Sequence, residues 1–138
     1  YGVNRMMILS NTLGYALLNR WRNGGDTGYV LRFNGSAPLP VLRRWAPIDA
    51  TITGGAPLPV QRYWSIESDW TRSPNVILLA SDDSIYRSTD GGGSWSIENT
   101  GLPRRAHLAD LRFVVFPNGV KRFYLSTYGR SVWYADVR

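Results

Sequence analysis

Carboxylates near predicted strand ends are the residues of this chain that could perform catalysis. Glycoside hydrolysis uses two opposed carboxylates roughly 5–10 Å apart, one acting as the acid and the other as base or nucleophile. The carboxylates considered in this sequence are Glu67, Asp69, Asp110 and Asp49. Asp69 and Asp110 lie nearest the strand ends, so they are the catalytic candidates. The alternative is that these two residues cap turns or pair with the nearby Arg72 and Arg112.

Two tryptophans beside arginines are the binding candidates. Trp21 lies in Arg20-Trp21-Arg22, and Trp70 lies in Asp69-Trp70-Thr71-Arg72. An exposed tryptophan next to a guanidinium is well suited to contact a sugar or a protein. We therefore predict binding by Arg20, Trp21, Trp70 and Arg72, the alternative being a loop tryptophan folded over a sheet edge. Trp95 and Trp133 recur within repeated segments, and we expect both in the core.

Composition excludes several classes of site and partner. The chain has 138 residues, no cysteine and one histidine, so it offers no disulfide and no thiolate metal site. We predict no metal and no cofactor. The net charge of +6 is spread along the chain with no long basic run and no nucleic-acid motif, so we predict no nucleic-acid partner. No apolar run approaches the roughly 18 residues of a membrane span, so none is predicted.

Residues 88–95 contain the most specific pattern of the chain. Ser88, Asp90, Gly92, Ser94 and Trp95 form Ser-x-Asp-x-Gly-x-Ser-Trp. Glycine permits a positive φ in a tight hairpin, while the short polar side chains bond to the backbone of their own turn. Trp95 can bury a large apolar face against a neighbouring sheet. The pattern predicts a structural turn, with a cation site or ligand contact at Asp90 as the alternative.

Three segments follow one plan with a period of about 45 residues, which is in the range of propeller blades. Strands are predicted at 4–9, 14–19 and 29–33, then at 62–66, 76–81, 84–88 and 95–98, and finally at 111–116, 122–127 and 131–136. Turn signals between these strands favour antiparallel meanders. Residues 20–28 are a polar insertion, and 37–59 are mostly connection. The chain is one domain, 1–138, with segments at 1–55, 56–100 and 101–138.

The octapeptide at 88–95 and the segment 127–133, Thr-Tyr-Gly-Arg-Ser-Val-Trp, resemble the Asp-box, or BNR-repeat, β-propeller family. The resemblance covers 56–138 well and 1–55 weakly. The well-covered part is similar to the C-terminal blades of xyloglucanase-like, sialidase-like and photosystem-assembly-factor-like propellers. Ser131 stands where such proteins usually have glycine. The resemblance implies an all-β fold of about three four-stranded antiparallel blades. It also implies an extracellular or periplasmic location, with any targeting segment outside this chain.

Three blades are too few to close a propeller, which typically has four to eight. The last predicted segment also lacks a fourth strand, which leaves an open edge. We therefore expect the remaining propeller blades to be the partner of this chain. They would belong to the other part of a longer or cleaved chain, or be supplied by self-association. A glycan or protein ligand is also possible.

The sequence favours a non-catalytic module that binds protein or glycan or completes a larger propeller. The alternative is the C-terminal part of an Asp-box glycoside hydrolase of the xyloglucanase or sialidase type. The Arg-Ile-Pro signature of sialidases is absent, and no other catalytic signature is visible. A carboxylate pair facing a groove with an exposed tryptophan would favour the enzyme, and a surface without such a pair would favour the module.

Overall fold

The computed structural model describes residues 2–19, 30–38, 40, 44–48, 58–59, 61–103, 106–129 and 131–137. These residues form eleven strands in three antiparallel sheets. Sheet 1 contains β1 (Gly2–Ile8), β2 (Leu13–Asn19), β3 (Val30–Asn34) and β4 (Trp45–Pro47). Sheet 2 contains β5 (Tyr63–Asp69), β6 (Val76–Ser81), β7 (Ile85–Ser88) and β8 (Ser96–Ile97). Sheet 3 contains β9 (Leu108–Val115), β10 (Lys121–Thr127) and β11 (Ser131–Asp136).

Each sheet is a meander in which every strand pairs with the strand before it. The first strand of each sheet therefore forms one edge, and the last strand forms the other edge. The first strands of the three sheets lie close together, with β5 in contact with both β1 and β9. We call this side of the molecule the inner edge, and the side formed by β4, β8 and β11 the outer edge.

Sheet 2 lies between the other two sheets and is buried on both faces. The six residues of β6 are all buried, as expected for an apolar strand covered on both sides. Because side chains alternate along a strand, Ile77 and Leu79 pack towards sheet 1 while Leu78 and Ala80 pack towards sheet 3. Two separate hydrophobic clusters result, one in each interface between sheets.

Sheets 1 and 3 each have one covered face and one outward face. In sheet 1, Tyr15 and Leu17 pack against sheet 2, whereas Met6 and Ile8 are exposed on the opposite side. In sheet 3, all six residues of β11 are exposed. Apolar groups therefore face solvent on both sides of the stack.

The structure confirms an all-β chain built from antiparallel sheets. Strand β4 was not predicted, because it lies within residues 37–59, which were expected to be mostly connection. It pairs Trp45 with Phe33 and Pro47 with Leu31 at the sheet edge, where proline is tolerated. The predicted four-stranded plan holds for sheets 1 and 2, whereas sheet 3 has three strands within the described residues.

Other sequence expectations have mixed outcomes. Trp95 packs against the cluster between sheets 1 and 2, as expected. Trp133 does not lie in the core, because 37% of it remains exposed. The predicted insertion at 20–28 lies outside the described residues. The described part of the chain contains no helix that is long and apolar enough to cross a membrane.

Candidate functional site

The turn at 88–95 is closed by its own side chains. Ser88 Oγ donates to Asp90 Oδ1 at 2.7 Å and accepts from Gly92 N at 2.8 Å. Asp90 Oδ1 also accepts from Gly93 N and Ser94 N, at 2.8 and 2.9 Å, and Asp90 Oδ2 accepts from Ser94 Oγ at 2.6 Å. Both carboxylate oxygens of Asp90 therefore have partners within the turn.

These contacts set the protonation of Asp90. Partial desolvation alone would raise its pKa, but hydrogen bonds from Ser94, Ser88 and the amide of Gly93 outweigh that effect and lower the pKa to about 2. The backbone requires glycine at two positions, because Gly91 and Gly92 have φ values of 72° and 97°. An anionic Asp90 is thus part of the structure of this turn.

The turn is anchored on sheet 1. The indole Nε1 of Trp95 points at the carbonyl of Ile48, 3.4 Å away, and the hydroxyl of Tyr15 donates to the carbonyl of Gly91 at 3.3 Å. A side chain at position 92 would collide with Ile48. The turn is therefore an interface element between sheets 1 and 2, which supports its structural interpretation over a ligand site at Asp90.

Asp69 caps a turn at the end of β5. Its Oδ1 accepts from the amide and hydroxyl of Thr71, at 3.0 and 2.5 Å. Its Oδ2 forms an ion pair with Arg72, whose Nε lies 3.0 Å away. Asp69 is completely buried.

The other catalytic candidate, Asp110, belongs to a cluster at the inner edge that is centred on Arg5. The guanidinium of Arg5, which belongs to sheet 1, reaches residues of the other two sheets. Its Nη2 donates to Glu67 Oε2 and to the carbonyl of Leu111, both at 3.1 Å. Its Nη1 donates to Ser65 Oγ at 2.9 Å and to Asp110 Oδ1. Arg5 thus joins β1 to β5 and β9.

Ser65 completes the hydrogen bonding of the cluster. Its hydroxyl donates to Asp110 Oδ1 at 2.9 Å and accepts from Leu111 N at 3.0 Å. Asp110 Oδ2 pairs with Arg112 at 3.1 Å. We call Arg5, Ser65, Glu67, Asp110 and Arg112 the Arg5 cluster. Its two carboxylates and two guanidinium groups balance in charge.

A groove of about 560 Å³ opens beside the Arg5 cluster. Its lining includes Asn4, Trp64, Glu67, Asp110 and Arg112. Trp64 is partly exposed there, with its Nε1 donating to Asp82 Oδ1 at 2.6 Å. The opening is therefore lined by two carboxylates of the Arg5 cluster and by the ring of Trp64.

The sequence identified Asp110 and Glu67 but missed Arg5, Ser65 and Trp64. A signal for Arg5 does exist, since it is the single charged residue in the strand Gly2–Ile8. A charge in an otherwise apolar strand requires a partner when it is buried. The identity of that partner could not be read, because Glu67 and Asp110 lie 62 and 105 residues away along the chain.

The predicted binding residues are only partly described. Trp70 is exposed, and its ring lies 5.9 Å from that of Phe113 in an edge-to-face arrangement. It therefore leans across from sheet 2 onto sheet 3. Arg72, in the same turn, pairs with Asp69. Arg20 and Trp21 lie outside the described residues. Among all the residues that the structure describes, no group of three or more His, Cys, Asp or Glu is placed to hold a metal ion.

Comparison with known proteins returned no relative. No protein-family model, no curated protein and no solved structure matches this chain.

Proposed function

We propose that this chain is a non-catalytic Asp-box β-propeller module that completes a larger propeller assembly through protein contacts. The observation that carries the proposal is the exposure of apolar side chains on the outward faces of a stack whose middle sheet is buried on both sides. Large exposed apolar patches on a soluble protein mark interaction sites. A further sheet on either side would bury them as sheet 2 is buried.

The outward face of sheet 1 is the stronger of the two surfaces. Strand register places Met6 beside Ala16 and Leu31, and Ile8 beside Gly14 and Phe33. Because alternate residues of these strands pack on sheet 2, the rows just named face away from it. The rows carry no charge, so a solvent-facing role does not account for their composition.

Light scattering combined with intact mass spectrometry of co-purifying material tests the proposal. We expect a mass above that of the single chain, from a second copy or from an unlike chain. Met6→Asp and Ile8→Asp should each reduce that association by at least about tenfold, because they place a charge in the contact. Val120→Asp is the matched control, since Val120 is exposed in a hairpin turn away from this face. A monomer that co-purifies with nothing would refute the proposal.

The proposed module could also bind glycan, and Trp70 and Arg72 are the residues that would contact it. Their turn follows the end of β5, where Trp70 keeps an exposed ring and Arg72 pairs with Asp69. Trp70→Ala would abolish such binding while leaving assembly through sheet 1 intact. A glycan array that compares the two chains provides the measurement.

The second candidate function is glycoside hydrolysis, favoured by one observation. Glu67 and Asp110 face the same groove as Trp64. Against it, both carboxylates bind the guanidinium of Arg5, whereas a glycosidase needs one of them free to donate a proton to the glycosidic oxygen. The test is hydrolysis of xyloglucan or sialoside substrates by the chain and by its Asp110→Asn and Glu67→Gln variants. Activity that both variants lose while they still fold would support an enzyme and refute the non-catalytic module.

A further inference from the structure

Sheet 3 leaves its last strand open. Within the described residues, β11 pairs with β10 and has no strand on its other side. Sheets 1 and 2 both continue to a fourth strand at the corresponding place, β4 and β8. An edge strand with free N–H and C=O groups is a template for the addition of another strand.

Sheets 1 and 2 show what normally occupies the outer edge of an interface. Ile48, just after β4, donates its N–H to the carbonyl of Val30 at 2.9 Å. Glu98, just after β8, donates in the same way to Ile85 at 2.8 Å. Ile48 and Glu98 are therefore equivalent. Trp95 of sheet 2 lies against Ile48, so an equivalent side chain from sheet 3 would lie beside Glu98.

That place is an empty slot. A cavity of about 510 Å³ lies between sheets 2 and 3, bordered by Glu98 and Leu102 on one side and by Trp133, Ala135 and Val137 on the other. Its floor is apolar, formed by Leu78, Ile85, Leu111, Phe123 and Leu125. The slot continues the hydrophobic cluster between sheets 2 and 3 outward to solvent.

Exposure of equivalent residues shows what is missing. Tyr86 pairs with Leu79 in sheet 2, and Trp133 pairs with Leu125 in sheet 3, so the two aromatics occupy the same place in the plan. Tyr86 is 7% exposed, whereas Trp133 is 37% exposed. Trp95 packs against the cluster that contains Tyr86. No described residue of sheet 3 plays that part for Trp133.

We infer that β11 and the slot bind an extended peptide strand that carries one large aromatic side chain. The strand pairs antiparallel with β11, as do the paired strands in the described part of the chain. Its aromatic side chain enters the slot between Leu102 and Trp133, and the residues on either side of it face outward. This inference rests on the proposed function, since it assigns the chemistry of the partner segment at one of the two open sides.

The chain supplies its own probe for this site. A synthetic peptide of residues 92–99, Gly-Gly-Ser-Trp-Ser-Ile-Glu-Asn, contains the segment that fills the equivalent place in sheet 2. Titration of the isotope-labelled chain with this peptide, followed by NMR, should shift the signals of β11, Leu102 and Val137 in a saturable manner. The same peptide with serine in place of its tryptophan should bind at least about tenfold more weakly, since a buried tryptophan anchor dominates such contacts.

Two variants of β11 locate the binding. Ala135→Arg places a long charged side chain on the slot side of the strand and should weaken binding at least about tenfold. Val132→Arg changes the outward side of the same strand and should leave the affinity within about twofold. Both positions are exposed, so circular dichroism should show that both variants fold.

Three results would overturn the inference. They are no binding at millimolar peptide, binding that Ala135→Arg leaves unchanged, and a peptide-free dimer in which β11 is already protected from hydrogen exchange. The last would make a second copy the occupant. Association through sheet 1, measured with Met6→Asp, is a separate readout. A chain that still associates through sheet 1 but ignores the peptide would refute this inference alone.

Discussion

The interface between sheets 1 and 2 is closed at its outer edge, and the interface between sheets 2 and 3 is open there. The strands on both sides are similarly apolar, so their composition does not explain the difference. The first interface is covered by the turn at 88–95 and by Trp95, which follow the third strand of sheet 2. In sheet 3, no described segment follows the third strand in that way. Closure therefore depends on what comes after the strands.

The same interfaces are alike at the inner edge. Arg5 binds Glu67 of sheet 2 and Asp110 of sheet 3 with one guanidinium. Polar contacts tie the three sheets together on this side, whereas apolar packing joins them farther out. The two interfaces are therefore joined by the same residue at the inner edge but differ at the outer edge.

Paired truncations at Tyr86 and Trp133 should give the largest difference. Tyr86→Ala removes a buried ring and should lower the free energy of unfolding by about 4 kcal/mol. Trp133→Ala, at the equivalent but open position, should lower it by about 1 kcal/mol. Urea unfolding followed by circular dichroism measures both. Equal losses would show that the slot is closed in solution.

Removal of Arg5 should weaken both interfaces at once. Arg5→Met leaves Glu67 and Asp110 without their shared partner and should cost about 3 kcal/mol. Arg112→Met is the matched control, because Arg112 is 63% exposed and pairs with the same Asp110. Its cost should stay below about 1 kcal/mol. If Arg112→Met were as damaging as Arg5→Met, the cluster would not be centred on Arg5.

Two buried serines of β5 differ in whether their hydroxyl groups have hydrogen-bond partners. Ser65 bonds to Arg5, Asp110 and Leu111, and Ser65→Ala should cost about 2 kcal/mol. Ser68 Oγ is buried with no hydrogen-bond partner among the described residues, so Ser68→Ala should be neutral or stabilising by up to about 1 kcal/mol. Thermal unfolding of the two variants decides the point. A loss in Ser68→Ala would reveal an additional partner of that hydroxyl.

A glycine at the start of β11 should stabilise the open side. Ser131 has a φ of 91°, which lies in the left-handed region. Ser131→Gly should raise the free energy of unfolding by about 1 kcal/mol, because it relieves the steric cost of the side chain. Ser126→Gly, in the neighbouring strand, should instead cost about 0.5–1 kcal/mol. Destabilisation by both glycines would contradict the φ at position 131.

The smallest effect concerns the pH dependence of the closed side. The pKa of Asp90 falls from 3.8 to about 2 on folding, so its contribution to stability is complete above pH 3.8 and is lost as the pH falls through about 2. Asp90→Asn should flatten the stability profile between these values. Thr89→Ala changes the same turn without a titrating group and should leave that slope unaltered. Unfolding measured at pH 2, 3, 4 and 6 would detect the difference.

Local patterns predicted most of the strands. Alternating or continuous apolar runs identified ten of the eleven strands of the described residues, because strand burial leaves a direct mark on neighbouring positions. The turn at 88–95 was equally readable, since its hydrogen bonds join residues no more than four positions apart. Strand β4 was missed because its stability comes from pairing with Phe33 and Leu31 and not from its own residues.

The candidate site was harder to predict, because its contacts are long-range. The sequence placed Asp69 and Asp110 on equal terms as catalytic candidates. The structure separates them, with Asp69 buried in a turn and Asp110 bound to a residue from the first strand. The prediction that Trp133 lies in the core was wrong for a related reason. The burial of an aromatic residue depends on which segment covers it, and no local pattern specifies that segment.

The Arg5 cluster also constrains the order in which the molecule can be assembled. During synthesis Arg5 leaves the ribosome more than a hundred residues before Asp110. Until sheet 3 forms, the guanidinium of Arg5 must remain hydrated or pair with Glu67 alone. Contacts of such long sequence separation form late and slow the folding of β proteins. The cluster therefore acts as a latch that closes last, and its protection from hydrogen exchange should mark the moment at which the chain is fully folded.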